Sequence, residues 1–257
     1  LSFTNSENFA SGFHVGIPKE NVIIVEPGDI NALKNIIKAK SLDSNNNSIA
    51  AVIMEPMQGQ TVGVHPKGYL NEAINLCKEN SILMLFDEIK VGMGRTGKLF
   101  SFYQENVVPD ILTISKALGG GKRAIRAMVT SAELSRKAYG KRKDSALHST
   151  TFGGLGESCA VGIAALNIIS DQKFLDSVEE KGTYFFEKLM QLKMKYPKII
   201  KDIIGKGLYI GITFDFIPYE KHLKTIKIPF INDMKVALMG SIVRCLYRDY
   251  DLLTHFT

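Results

Sequence analysis

The chain has 257 residues, 45% of them hydrophobic and 23% charged, and a net charge of +6. That length suits one large globular domain or a domain and a half, and the balance is that of an ordinary soluble protein. No apolar run approaches the roughly 18 residues of a membrane helix, and no basic block is long enough to serve as a nucleic-acid arm.

The densest basic cluster, Lys141-Arg142-Lys143, reads as a solvated loop. Three scattered cysteines, Cys77, Cys159 and Cys245, form no CxxC pair, so no zinc site or disulfide framework is expected. Cys77 and Cys159 fall at helical apolar positions and read as core. A reducing, cytoplasmic location fits them.

In chain order, residues 1–20 read as loop and Asn21–Val25 as a short strand. Asp29 caps a helix carrying Ile30, Leu33, Ile36 and Ile37 on one face. A polar loop at 44–48 precedes a buried strand over 49–54, ended by Glu55-Pro56. A helix is expected over 68–79 and a strand over 82–86, ended by Asp87. The glycine-rich segment 91–97 must be loop. A short helix over 98–104 leads to a strand at 111–114, with Lys116 and Gly119-Gly120-Gly121 just beyond. A strand over 127–130 and a helix over 132–138 follow. Ser149-Thr150-Thr151-Phe152-Gly153-Gly154 forms a second glycine-closed turn, before a helix over 157–169.

Strand and helix alternate to this point, which argues an α/β fold with a mostly parallel sheet. From residue 171 the pattern changes to a long amphipathic helix over 174–194, strands over 199–204 and 208–216, and a helix over 231–246. We expect a large domain over 1–170 and a smaller α+β domain over 171–257.

Ligands in parallel α/β sheets bind beyond the carboxyl ends of the strands. Three strands here end in a polar residue: Glu55, Asp87 and Lys116. One such ending is common, and three suggest a lined pocket. Singly, Lys116 reads as a surface lysine and Asp87 as a turn or cap residue. Together they match a specific chemistry. In an enclosed site, desolvation turns a lysine amine into a nucleophile toward carbonyls, as a Schiff base requires. A carboxylate at the next strand end can hold a protonated ring nitrogen. Pyridoxal 5'-phosphate needs this combination, along with a phosphate cup such as the hydroxyls of Ser149-Thr150-Thr151 above Gly153-Gly154. A phosphate-binding P-loop is the other reading of Gly119-Gly120-Gly121-Lys122, but Arg123 stands where that motif needs Ser or Thr.

The ordered series Met54-Glu55-Pro56-Met57-Gln58-Gly59, Phe86-Asp87-Glu88-Ile89, Gly92-Met93-Gly94-Arg95-Thr96-Gly97, Pro109-Asp110-Ile111, Lys116-Ala117-Leu118-Gly119-Gly120-Gly121 and Ser149–Gly154 resembles class III pyridoxal-phosphate-dependent aminotransferases. The resemblance is to the ornithine, acetylornithine and 4-aminobutyrate transaminase group and reaches Gly205-Lys206-Gly207-Leu208. It implies a fold-type I transferase, a three-layer large domain and a homodimer with a shared active site. It implies ping-pong transfer of an amino group from a donor to a 2-oxo acid, with no nucleic-acid or membrane partner. The same scaffold serves aminomutases and amino-acid epimerases, and a non-catalytic homologue is the other alternative.

The resemblance also implies residue roles. Lys116 matches the Schiff-base lysine and proton carrier, and Asp87 the acid on the ring nitrogen. Thr151, beside Thr150, matches the phosphate-binding threonine. Glu55 matches the glutamate near the ring, and Ile89 the aliphatic residue on one ring face. Lys90 stands where much of the family has a ring-facing glutamine, so altered cofactor contacts are expected there. Gln60 replaces a glutamate that pairs with a substrate-binding arginine in the ornithine and 4-aminobutyrate enzymes. The run Lys122–Arg126 lacks the usual proline, and Leu155-Gly156 replaces Asn-Pro. Both chain ends read as cut, so a fragment of a longer protein, poorly stable and inactive alone, is the expectation.

Overall fold

A computed structural model describes residues 21–41, 49–142, 144 and 150–215. The loop expected at 44–48, Ser149, the helix expected over 231–246 and Cys245 lie outside the described residues. The first elements alternate helix and strand as the apolar pattern demands, before three strands separated only by 3-10 turns. Helix α1 (Ile30–Ser41) is followed by β1 (Ala51–Met54), α2 (Tyr69–Glu79), β2 (Leu83–Asp87), β3 (Ile111–Ile114) and β4 (Ala127–Thr130). Then come α3 (Ala132–Tyr139), α4 (Gly156–Ile169), α5 (Gln172–Lys195) and a hairpin of β5 (Ile200–Lys206) and β6 (Tyr209–Phe214).

Caps fix several starts. Asp29 Oδ1 accepts from Ala32 N–H at 2.9 Å, so the expected N-cap of α1 is present. Ser131 and Asp171 cap α3 and α5 in the same way.

The main sheet runs β1-β2-β3-β4, with β1, β2 and β3 parallel and β4 antiparallel to β3. Asp110 joins three of these strands. Its Oδ2 accepts from Met84 N–H at 2.8 Å, its N–H donates to the Met84 carbonyl at 2.9 Å, and its carbonyl accepts from Thr130 Oγ1 at 2.8 Å.

Side chains alternate across a strand. On β2, Met84 and Phe86 are buried while Leu83, Leu85 and Asp87 are half-buried. Phe86 joins Leu70, Ile74 and Cys77 of α2, Leu112 and Ile114 of β3, and Ala165 and Ile169 of α4 in one core. A second cluster holds Leu189 of α5 against Ile200 and Ile203 of β5, with Ile210 and Phe214 packed on it.

Three expectations change. The strand expected at Asn21–Val25 has no ladder among the described residues, and its Ile23 and Ile24 are exposed. The helix expected over 98–104 is a shorter 3-10 turn, Ser101–Glu105, closed by Asn106 in a left-handed conformation. Cys159 is half-buried rather than core, because it lies off the inward face of Ser158, Gly162 and Ala165.

Candidate active site

Sheet register brings the strand-end residues together. Met54 at the end of β1 pairs with Phe86, and Asp87 at the end of β2 pairs with Thr113. Glu55 is one residue past β1, and Lys116 is three past Thr113, so Glu55, Asp87 and Lys116 share the carboxyl edge of three adjacent parallel strands. The Glu88 N–H donates to the Thr113 carbonyl at 3.0 Å, carrying the β2–β3 pairing one step beyond Asp87.

Asp87 is half-buried. Its Oδ1 accepts from Ile89 N–H at 2.8 Å, which leaves its second oxygen for another donor. This local turn fixes the carboxylate and sets Ile89 and Lys90, both half-buried, beside it.

Lys116 does not end a strand. It opens the 3-10 turn Lys116–Gly119, after extended Ser115 whose Oγ donates to the Ile125 carbonyl at 2.9 Å. Its φ of +49° puts a non-glycine residue in the left-handed region, a strain that persists only where surroundings impose it and that clusters at functional sites. Gly120 and Gly121 continue the left-handed course with φ of +55° and +72°. The Lys116 side chain is exposed, so the enclosure expected around it is not provided by the described residues. It makes no ion pair among them.

Glu55 is half-buried, and its Oε2 accepts from Gly59 N–H at 2.9 Å. A Cβ placed on Gly59 would lie 2.9 Å from Glu55 Oε1 and 2.9 Å from Lys90 Cδ. The Lys90 stem and the Glu55 carboxylate therefore share the space over Gly59, which only a glycine leaves open.

Thr150 and Thr151 are exposed, in a turn closed by the Gly153 N–H on the Thr150 carbonyl at 3.0 Å. The described residues do not bring this turn into contact with Lys116. Arg123, just past the glycines, forms an ion pair with Glu157 of α4.

One acid has no assigned role in the sequence reading. Glu88 is fully buried. Its Oε1 accepts from Ser101 Oγ at 2.6 Å and Phe102 N–H at 3.1 Å, while Oε2 has no partner. Burial raises its pKa to about 7, against the opposing hydrogen bonds from Ser101 and Phe102, with a further rise from Asp87. Alternation was the available signal. Asp87 and Glu88 are adjacent, so they must point to opposite faces, and Glu88 follows Met84 and Phe86 inward.

The fold and this edge define an α/β protein of the kind that binds ligands beyond the ends of its parallel strands. The family model for aminotransferase class-III matches residues 4–228. The chain belongs to the class-III aminotransferase family. It is 39% identical over 227 residues to the ornithine aminotransferase of Geobacillus sp. (strain WCH70), covering 87% of this chain and 52% of that protein. The structure of ornithine aminotransferase from Toxoplasma gondii matches with a TM-score of 0.72 at 31% identity, over 83% of this chain and 47% of that one. That structure shows partial occupancy of PLP at its active site. The acetylornithine aminotransferase of Elizabethkingia anophelis matches with a TM-score of 0.67 at 33% identity, over 76% of this chain and 48% of its own. The chain thus spans about half the length of these relatives.

Class-III aminotransferases are pyridoxal-phosphate enzymes, and the residues present fit the reactive end of that cofactor. Among the described residues, a primary amine without an ion pair stands just beyond the end of β3, and an anchored carboxylate with a spare oxygen ends β2.

Proposed function

We propose that the protein transfers an amino group from an amino donor to a 2-oxo acid, by a ping-pong mechanism, with pyridoxal phosphate. The observation that carries this reading is the placement of Asp87 and Lys116 at adjacent ends of β2 and β3 in a class-III aminotransferase chain. When bound, the cofactor supplies a carbonyl carbon for amines and an electron sink for the carbanion that proton loss creates.

The chain's own residues do the rest. Lys116 Nζ would be the attachment point and, once free, would carry the proton between the substrate Cα and the cofactor C4′ as general base and acid. Asp87 offers its spare oxygen to a ring N–H⁺, and the Ile89 amide holds the carboxylate in place for it. Ile89 supplies an apolar wall for a ring face. Glu55 and Lys90 place opposite charges at the neighbouring edge. Thr150 and Thr151 offer hydroxyls to the phosphate, with the turn supplied by a second copy in a homodimer. Residues 1–170 form part of a large domain and residues 171–257 part of a smaller one, in keeping with the two separate hydrophobic clusters. A cytoplasmic location is in keeping with three scattered cysteines that form no CxxC motif.

Initial-rate kinetics with a panel of amino donors and 2-oxo acids test the reading. Parallel double-reciprocal lines with product exchange are expected. Sequential kinetics, or racemisation without amino transfer, would contradict it.

A further inference from the structure

The turn that carries Glu55 is held from outside the main sheet. Tyr209, the first residue of β6, donates its phenolic O–H to the Gly59 carbonyl. Gly59 in turn donates its N–H to Glu55 Oε2 at 2.9 Å. Gly59 is buried, and its bare Cα faces both Glu55 Oε1 and the Lys90 stem. One residue thus joins the β5–β6 hairpin to a carboxylate at the ligand edge. The hairpin is seated on that edge by two further contacts. The Leu208 N–H donates to the Arg95 carbonyl at 3.0 Å, and a Cβ on Gly211 would lie 3.1 Å from Val62 Cγ2. Burial raises the pKa of Tyr209, the nearby charge of Glu55 raises it further, and Arg95 opposes. The phenol is therefore a protonated donor at neutral pH.

From this geometry we infer that Tyr209 is a positioning residue for Glu55. Its hydroxyl fixes Gly59, the Gly59 amide fixes Glu55 Oε2, and Oε1 is left aimed over Gly59 beside Lys90. The smaller C-terminal unit thereby orients a side chain of the larger one, which ties hairpin placement to the ligand edge. The inference rests on the reading that Glu55 lines the active site. Tyr209→Phe keeps the ring and removes only the donor, and a single net hydrogen bond corresponds to about five-fold in an equilibrium or rate.

Two measurements in the intact protein test this. In Tyr209→Phe, amide hydrogen exchange at Gly59 should quicken about five-fold or more, while the Glu88 amide in the β2–β3 extension keeps its rate. In a double-mutant cycle, Tyr209→Phe should lower kcat/KM about five-fold in the wild-type background and have no further effect beside Glu55→Ala. An unchanged Gly59 exchange rate overturns the inference, as does an equal loss in both backgrounds. Exchange needs no turnover, so a wild-type protein without transaminase activity would defeat the functional reading while the Gly59 rate still decides the contact.

Discussion

The carboxyl edge of β1–β3 and the turn at Thr150–Gly154 are both assigned to one cofactor, yet they are built differently. Residues at the edge are placed by the backbone ladder. Asp87 pairs with Thr113, and its carboxylate is pinned by the Ile89 amide. The threonine turn is exposed and, among the described residues, is closed by its own Gly153–Thr150 hydrogen bond, with Phe152 78% exposed. The edge is thus held by contacts between strands, and the turn by its own backbone. The difference teaches how the proposed site divides: sheet register alone places its strand-end residues, whereas the proposed phosphate turn would depend on a second copy.

The sharpest way to break this contrast is Asp87→Asn. The amide still accepts from the Ile89 N–H, so the melting temperature should hold. Loss of the charge facing the ring should lower kcat by about a hundred- to a thousand-fold. A variant that kept its activity would separate Asp87 from the cofactor.

Glu88→Gln probes how the edge is supported. The folded chain holds the Glu88 proton more tightly than the unfolded one, raising its pKa from 4.5 to about 7. Its stabilising contribution is therefore full below the unfolded value and is lost as pH rises toward 7. Wild type should lose stability relative to Glu88→Gln across that window, by about 3 kcal/mol in all. Parallel melting curves of the two proteins from pH 5 to pH 8 would show that Glu88 does not titrate as its burial demands.

The smallest effect belongs to the turn. Thr151→Ala should weaken pyridoxal phosphate binding about ten-fold, measured by fluorescence titration of the apo-protein, with little change in kcat at saturation. An unchanged dissociation constant would leave the turn outside the site.

Much of this was legible in the sequence because it rests on local signals. Short apolar runs ending in Glu55, Asp87 and Lys116 announced the strands and the edge. Asp29 announced the start of α1. What escaped depends on distant partners or on backbone detail. Nothing in Ala127–Thr130 shows that β4 runs antiparallel, since direction is set by the short return through Gly119–Gly121. Extended Asn21–Val25 is apolar enough for a strand but finds no neighbour among the described residues. The left-handed turn at Lys116 leaves no compositional mark. Tyr209 and Gly59 are 150 residues apart, and no periodicity links them.

Chemical trapping shows whether Lys116 is the amine that holds the cofactor. The intact protein is loaded with pyridoxal phosphate, reduced with borohydride and mapped by peptide mass spectrometry, alongside Lys116→Ala. The account predicts a stable pyridoxyl label on Lys116 in the wild type and none in the variant, whose amino transfer should fall more than about a thousand-fold. A label on Lys90 or Lys122 instead, or a variant that still turns over, would contradict it.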